Sequence, residues 1–184
     1  MENQNTRLKD LVFIALMTAI LCILAPLSVP IGPIPLSLAT FVVYIMAYVL
    51  GWKRGSVAVL LYLLIGIVGI PVFSNYGAGL QKVVGPTGGY LVSYILLVCI
   101  TGFVCEKVKC AYIPSILAMI CSTFILYIIG SAWLAFSNHM TFGAALTAGM
   151  LPFIPGDLIK IAIASVLGKQ LHERLNKAGI QIYG

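Results

Sequence analysis

Tyr-Ile-Pro-Ser-Ile-Leu-Ala-Met-Ile-Cys-Ser-Thr-Phe-Ile-Leu-Tyr-Ile-Ile-Gly, residues 112–130, decides the fold. The run carries no charge and is long enough to cross the hydrocarbon layer as a helix, which takes about 17 to 25 mostly apolar residues. Five further segments read the same way, at 11–27, 34–50, 56–72, 89–105 and 153–168, each bounded by charges, by Gly and Pro, or by both. Across the 184 residues 61% are hydrophobic and 9% charged, and the mean hydropathy is +1.07. Too few polar side chains remain to clothe a soluble domain. Closed barrels also satisfy the backbone in lipid, but their alternating strands of about ten residues do not occur in this sequence. The expected fold class is therefore all-α, a polytopic integral membrane protein with six transmembrane helices. Residues 1–184 are expected to form a single membrane-embedded domain.

The first apolar run follows Arg7 and Lys9, as a secretory signal would, but it continues into Pro26 without a small-residue cleavage pattern. It reads as the first helix. Six spans with the N-terminus inside place Arg7, Lys9, Lys53, Arg54, Lys107, Lys109, Lys169, Arg174 and Lys177 on the cytoplasmic side, and only Lys82 in an outer loop. This is the bias of the positive-inside rule, so both termini are expected in the cytoplasm of a bacterial-type inner membrane. The net charge of +6 then suits membrane lipid headgroups, and no nucleic-acid partner is expected. Five cysteines without a CxxC pair, and no nucleophile–base cluster, give no metal site, cofactor or catalytic residue. A Gly-rich loop ending in Gly-Lys-Ser/Thr is absent as well, so nothing supports nucleotide hydrolysis by this chain.

The polar interruptions fall in the longer, outer loops. Turns at Gly-Pro-Ile-Pro (32–35), Gly-Pro-Thr-Gly-Gly (85–89) and Pro-Phe-Ile-Pro-Gly-Asp (152–157) each lead into a helix. Irregular backbone at membrane depth must be protein-covered or line a cavity, so three converging turns predict a cup. Ser74 to Lys82 adds small residues and ligand-type side chains, and a loop of that kind can close as a lid. Asn75, Tyr76, Gln81 and Tyr90 are the binding candidates there, offering amide hydrogen bonds or an aromatic face with a polar tip. A short helix that does not span is expected at 141–149, and Trp133 and Tyr127 serve either as interface anchors or as an aromatic wall to the cup.

Asp157 and Lys160 are three residues apart and share a helix face. Pro155 suits an early helical position, which puts Asp157 in the first turn near the positive end of the helix dipole. Either charge alone, deep in a span, costs about 2.5 to 3.5 kcal/mol on insertion scales. Bordering a polar cavity relieves much of that penalty. A carboxylate accepts two N–H donors and an ammonium donates to a carbonyl or carboxylate. In an apolar, aromatic-lined cup the pair fits a small, mostly apolar molecule with a urea or amide head and an acid tail.

Gly-Ile-Pro-Val-Phe at 69–73, Gly-Pro-Thr-Gly-Gly-Tyr-Leu at 85–91 and Pro-Phe-Ile-Pro-Gly-Asp-Leu-Ile-Lys at 152–160 resemble the BioY family over nearly the full length. Members of that family are the biotin-binding S components of energy-coupling-factor (ECF) vitamin importers. The resemblance implies biotin as bound substrate, captured from outside, with ATP used only by partners: a transmembrane coupling protein and two ATPase subunits. It implies that Asp157 and Lys160 meet the ureido ring, with the valerate carboxylate as the alternative partner of Lys160. It places Asn75 and the Gly85–Tyr90 turn where the family closes over its ligand. Ala15 and Ala19, an Ala-xxx-Ala pair that permits close helix approach, fall on the face resembling the coupling-protein docking surface. One departure stands out. Where the family commonly has Gln, this chain has Ala39; either that contact is nonessential or another group such as Gln81 substitutes for the lost amide. The competing reading is a stand-alone secondary carrier for biotin or a related vitamin.

Overall fold

The computed structural model describes residues 2–31, 33–178 and 180. Gly32, which heads the first of the three turns, and the tail 181–184 lie outside the described residues. Helix α1 (Glu2–Leu24) leads to a hairpin of β1 (Ser28–Ile31) and β2 (Ile34–Ser37). The strands are antiparallel, with Ser28 opposite Ser37 and Ile31 opposite Ile34. Then follow α2 (Ala39–Val68), a single 3₁₀ turn (Ser74–Tyr76), α3 (Leu80–Val84), α4 (Gly88–Lys107), α5 (Tyr112–Ser137), α6 (Phe142–Gly149) and α7 (Ile154–Lys177). The short helix expected at 141–149 is α6.

The expectation of six transmembrane helices is corrected. Three helices, α2, α4 and α5, are long and apolar enough to cross a membrane, and a fourth span exists if α6 and α7, bent by 50° at their break, count as one. The physical reasons differ by segment. Arg7, Lys9 and Asp10 restrict the apolar part of α1 to 11–24, short of the about 17 residues a span needs. Predicted spans 34–50 and 56–72 resolve differently: residues 34–37 are strand β2, 39–50 and 56–68 lie on either side of a break at Gly51 within the 30-residue α2, and 69–72 follow its end. Helix α7 carries Asp157, Lys160 and Lys169 within its apolar stretch and qualifies only together with α6.

Helix α2 is the hub, packed against α1, α4 and α7, while α5 covers α4. Its buried face carries Tyr44, Tyr48 and Tyr62, and the last meets Phe73 edge-on at 5.5 Å between ring centroids. Helices without a water-driven reason to associate rely on close fit and polar ties. Thr101 of α4 bonds Ser122 of α5 at 3.0 Å, and the Thr18 hydroxyl of α1 donates to the Ala58 carbonyl of α2 at 3.2 Å.

A kink at Gly51 divides α2. Its φ of 68° and ψ of −167° lie in a region that is essentially open to Gly alone. The Glu106 carboxylate of α4 accepts the Trp52 N–H at 3.0 Å, so the freed donor is satisfied and the helix resumes at once. Any Cβ on residue 51 would collide with that same carboxylate. Gly51→Val should therefore destabilise the bundle by at least about 2 kcal/mol, from the strained backbone and the lost donor–acceptor contact. Thermal unfolding in detergent measures it. Glu106→Gln, which keeps an acceptor, should cost less than half as much.

Candidate functional site

Helix α7 begins as its sequence requires, with Pro155 in the first turn and Asp157 close behind. The Asp157 carboxylate does not cap its own helix. It points sideways, 5% exposed, toward α2 and α5. Oδ1 accepts from Lys160 Nζ at 2.8 Å and from Thr40 Oγ1 at 3.1 Å, while Oδ2 accepts from Tyr127 OH at 2.6 Å. Lys160 Nζ also donates to the Ser37 carbonyl at 2.7 Å and to Thr40 Oγ1 at 3.2 Å. All three ammonium protons thus have acceptors, and three of the roughly four lone-pair positions of the carboxylate are engaged. The pair is held by protein groups from four elements: β2, α2, α5 and α7.

The same pair borders a cavity of about 50 Å³. Tyr90, Tyr94, Tyr127 and Phe153 supply its aromatic wall; Ser37, Thr40, Ser74 and Thr87 supply hydroxyls. A larger, open groove of about 620 Å³ lies beside it, lined by the hairpin, Asn75 and Tyr76. Leu36, Ser37 and Lys160 line both spaces and so form the partition between them.

The sequence candidates separate along this partition. Asp157, Lys160 and Tyr90 are at the cavity. The Tyr90 hydroxyl, however, pairs with Ser131 at 3.0 Å and donates to the Gly149 carbonyl at 3.1 Å, tying α4 to α5 and α6. Its ring packs against Gly130, where any side chain would strike it. The Tyr90 hydroxyl is thus engaged within the protein. Asn75 and Tyr76 face the groove, both with positive φ (57° and 55°). The Asn75 side-chain oxygen accepts from Ser28 Oγ at 2.8 Å, and its backbone N–H donates back to that hydroxyl at 2.8 Å. Gln81 on α3 is exposed, folds beside Gly79 and lines neither space. Ala15 and Ala19 lie far along the chain from this cluster, exposed on α1.

The sequence alone does not single out Thr40, Ser37 or Tyr94, and it leaves Tyr127 between anchor and wall. Tyr127 is wall and hydrogen-bond donor together. Ala39 is buried and lines neither space; its neighbours Ser37 and Thr40 hold the charged pair instead. Trp133 Nε1 donates to the Gly85 carbonyl at 2.9 Å, fastening the second turn to α5.

A bundle with membrane-length helices, a buried ion pair on an aromatic-walled cavity and a loop-rimmed groove defines a membrane-embedded small-molecule-binding protein. The chain belongs to the BioY family, whose profile matches residues 1–177. It is 35% identical over 173 residues to the biotin transporter BioY2 of Lactococcus lactis subsp. cremoris, covering 94% of this chain and 95% of the relative. It is 37% identical to the biotin transporter BioY of Thermotoga maritima, covering 89% and 96% respectively. Its fold matches the crystal structure of the S-component for biotin from an ECF-type ABC transporter with a TM-score of 0.86, at 28% identity and over 92% of this chain and 93% of that one.

Proposed function

We propose that this multi-pass membrane protein is the biotin-binding S component of an ECF-type importer, a non-catalytic subunit that captures the vitamin for an ATP-driven module. The observation that carries this reading is the Asp157–Lys160 pair, with side chains 7% and 12% exposed, on the wall of an aromatic cavity in a BioY-family chain. A ureido ring presents two N–H donors and one carbonyl acceptor in a plane. Asp157 has the acceptors for the first and Lys160 the donors for the second.

A cavity of about 50 Å³ falls well below the about 300–1,000 Å³ typical of small-molecule sites. Swinging the Lys160 ammonium off Oδ1 would free carboxylate lone pairs and open the partition into the groove. In this reading the ring system takes the cavity beside Tyr90 and Tyr127, and the valerate arm takes the groove beside Asn75 and Tyr76. Gln81 is assigned to the rim. The partners are an ECF module, comprising a transmembrane coupling protein and two ATPase subunits, and Ala15 and Ala19 are the proposed docking residues.

Purified protein in detergent, titrated with biotin, desthiobiotin, lipoate and thiamin, tests the ligand. Biotin and desthiobiotin share the urea and should bind at least about 100-fold more tightly than the other two, since only a urea replaces the hydrogen bonds that Asp157 and Lys160 give up when the site opens, and a charged group left without them costs several kcal/mol. A preference for lipoate or thiamin would refute the assignment of the pair to a ureido head. Biotin flux into liposomes containing this chain alone would favour a stand-alone carrier instead.

A further inference from the structure

A second cavity, about 420 Å³, lies away from the ligand site between α1, α2 and α7. Helices α1 and α7 both pack on α2 and form no substantial contact with each other, so a furrow opens between them. Its floor is Phe41 and Ile45; its walls are Met17, Ile20 and Leu24 on one side and Leu171 on the other. At one end stands Arg174. The ion pairs among the described residues are Arg54–Asp10, Lys160–Asp157 and Lys169–Glu173, and none engages Arg174. The furrow is thus a greasy channel terminating in an exposed guanidinium that pairs with no carboxylate among the described residues.

We propose that this furrow is a binding site for one anionic phospholipid of the surrounding bilayer, an acyl chain lying on Phe41 and Ile45 and the phosphate meeting Arg174. The lining is apolar except for Gln170 and Arg174, which suits a hydrocarbon chain whose charged head lies at the Arg174 end. Charge favours an acidic headgroup, because a guanidinium engages phosphate oxygens through parallel N–H donors and a zwitterionic head adds a cation that competes for them.

Native mass spectrometry of the purified, delipidated protein tests the site, with palmitoyl-oleoyl phosphatidylglycerol and the matching phosphatidylcholine as probes. The wild type should retain one phosphatidylglycerol with about a fivefold preference over phosphatidylcholine, the effect of one basic side chain at an anionic headgroup. Arg174→Gln should abolish that preference while leaving weak binding of both lipids. Ile20→Trp, which fills the furrow, should lose the adduct with either lipid. Lys177→Gln removes the same charge from the same helix end outside the furrow and should behave as wild type. Circular dichroism and a monodisperse gel-filtration peak identify variants that remain folded, and Leu24→Phe is the milder filler should Ile20→Trp fail that standard. The proposal is overturned by an equal loss of preference in Lys177→Gln and Arg174→Gln, by full lipid retention in a folded furrow-filling variant, or by a second copy of this chain replacing the lipid adduct.

Discussion

Asp157→Asn is expected to weaken biotin binding by at least about 100-fold in isothermal titration of the purified protein, with helical content unchanged. The substitution keeps shape and removes one acceptor. In its place comes an NH₂ that must face either the Lys160 ammonium or the Tyr127 hydroxyl, both of which now donate to the carboxylate. A urea presenting two N–H groups then finds one acceptor oxygen where there were two. A hydrogen bond to a charged group contributes about 1.5–3 kcal/mol, and each 1.4 kcal/mol is tenfold in affinity, so losing one strong bond and weakening a second reaches two decades. Lys160 is also left without its counter-ion in a nearly closed setting. Breaking a buried pair from one side costs about 3–5 kcal/mol of stability, so the melting temperature should fall as well. Thr40→Val separates these effects. It removes one donor to Oδ1 and one acceptor of Nζ but keeps both charges, and should reduce affinity by less than tenfold. Unaltered affinity in folded Asp157→Asn would exclude the carboxylate from ligand recognition.

The charged pair was legible because its logic is local: two opposite charges three residues apart at a Pro-marked helix start, in a chain with little other charge. Its partners were not. Thr40 and Ser37 lie 117 and 123 residues from the groups they bond, and nothing in Leu36-Ser37-Leu38-Ala39-Thr40 distinguishes them from ordinary helix-entry residues. Tyr127 sits in an apolar run where an anchor and a wall leave the same trace. Hydropathy counts residues and cannot register how a helix break is resolved. Gly51-Trp52-Lys53-Arg54-Gly55 reads as a charged connection, yet Glu106, 54 residues further on, satisfies the Trp52 amide and helix resumes directly after the break at Gly51. Pro30 and Pro35 read as loop for a similar reason. They face each other in the hairpin, which is tolerated because in a two-stranded ribbon each strand is an edge and a missing N–H can point away from its partner.

Converting Ala15 and Ala19 together to Trp should leave biotin affinity within about twofold of wild type and lower biotin uptake by cells containing the full importer at least tenfold. Both alanines are exposed, on a face of α1 shared with Val12, Leu16 and Ile23. An exposed apolar face on a membrane protein is, by default, a lipid face, so exposure alone assigns no partner. The distinction lies in side-chain size. Small residues four apart let another helix approach closely, and lipid tolerates an indole at the same positions because fluid chains rearrange around it. A docked helix cannot. Two indoles would hold it off by several ångströms and remove the dispersion contacts, which decay within about 1 Å of extra separation. Phe124→Trp controls for bulk, since Phe124 is exposed on α5, on a different helix. Uptake should survive there. Transport at wild-type rate by the double variant would move the coupling surface off this face of α1, and a parallel collapse of biotin binding would show that the indoles disturb the bundle and not the docking.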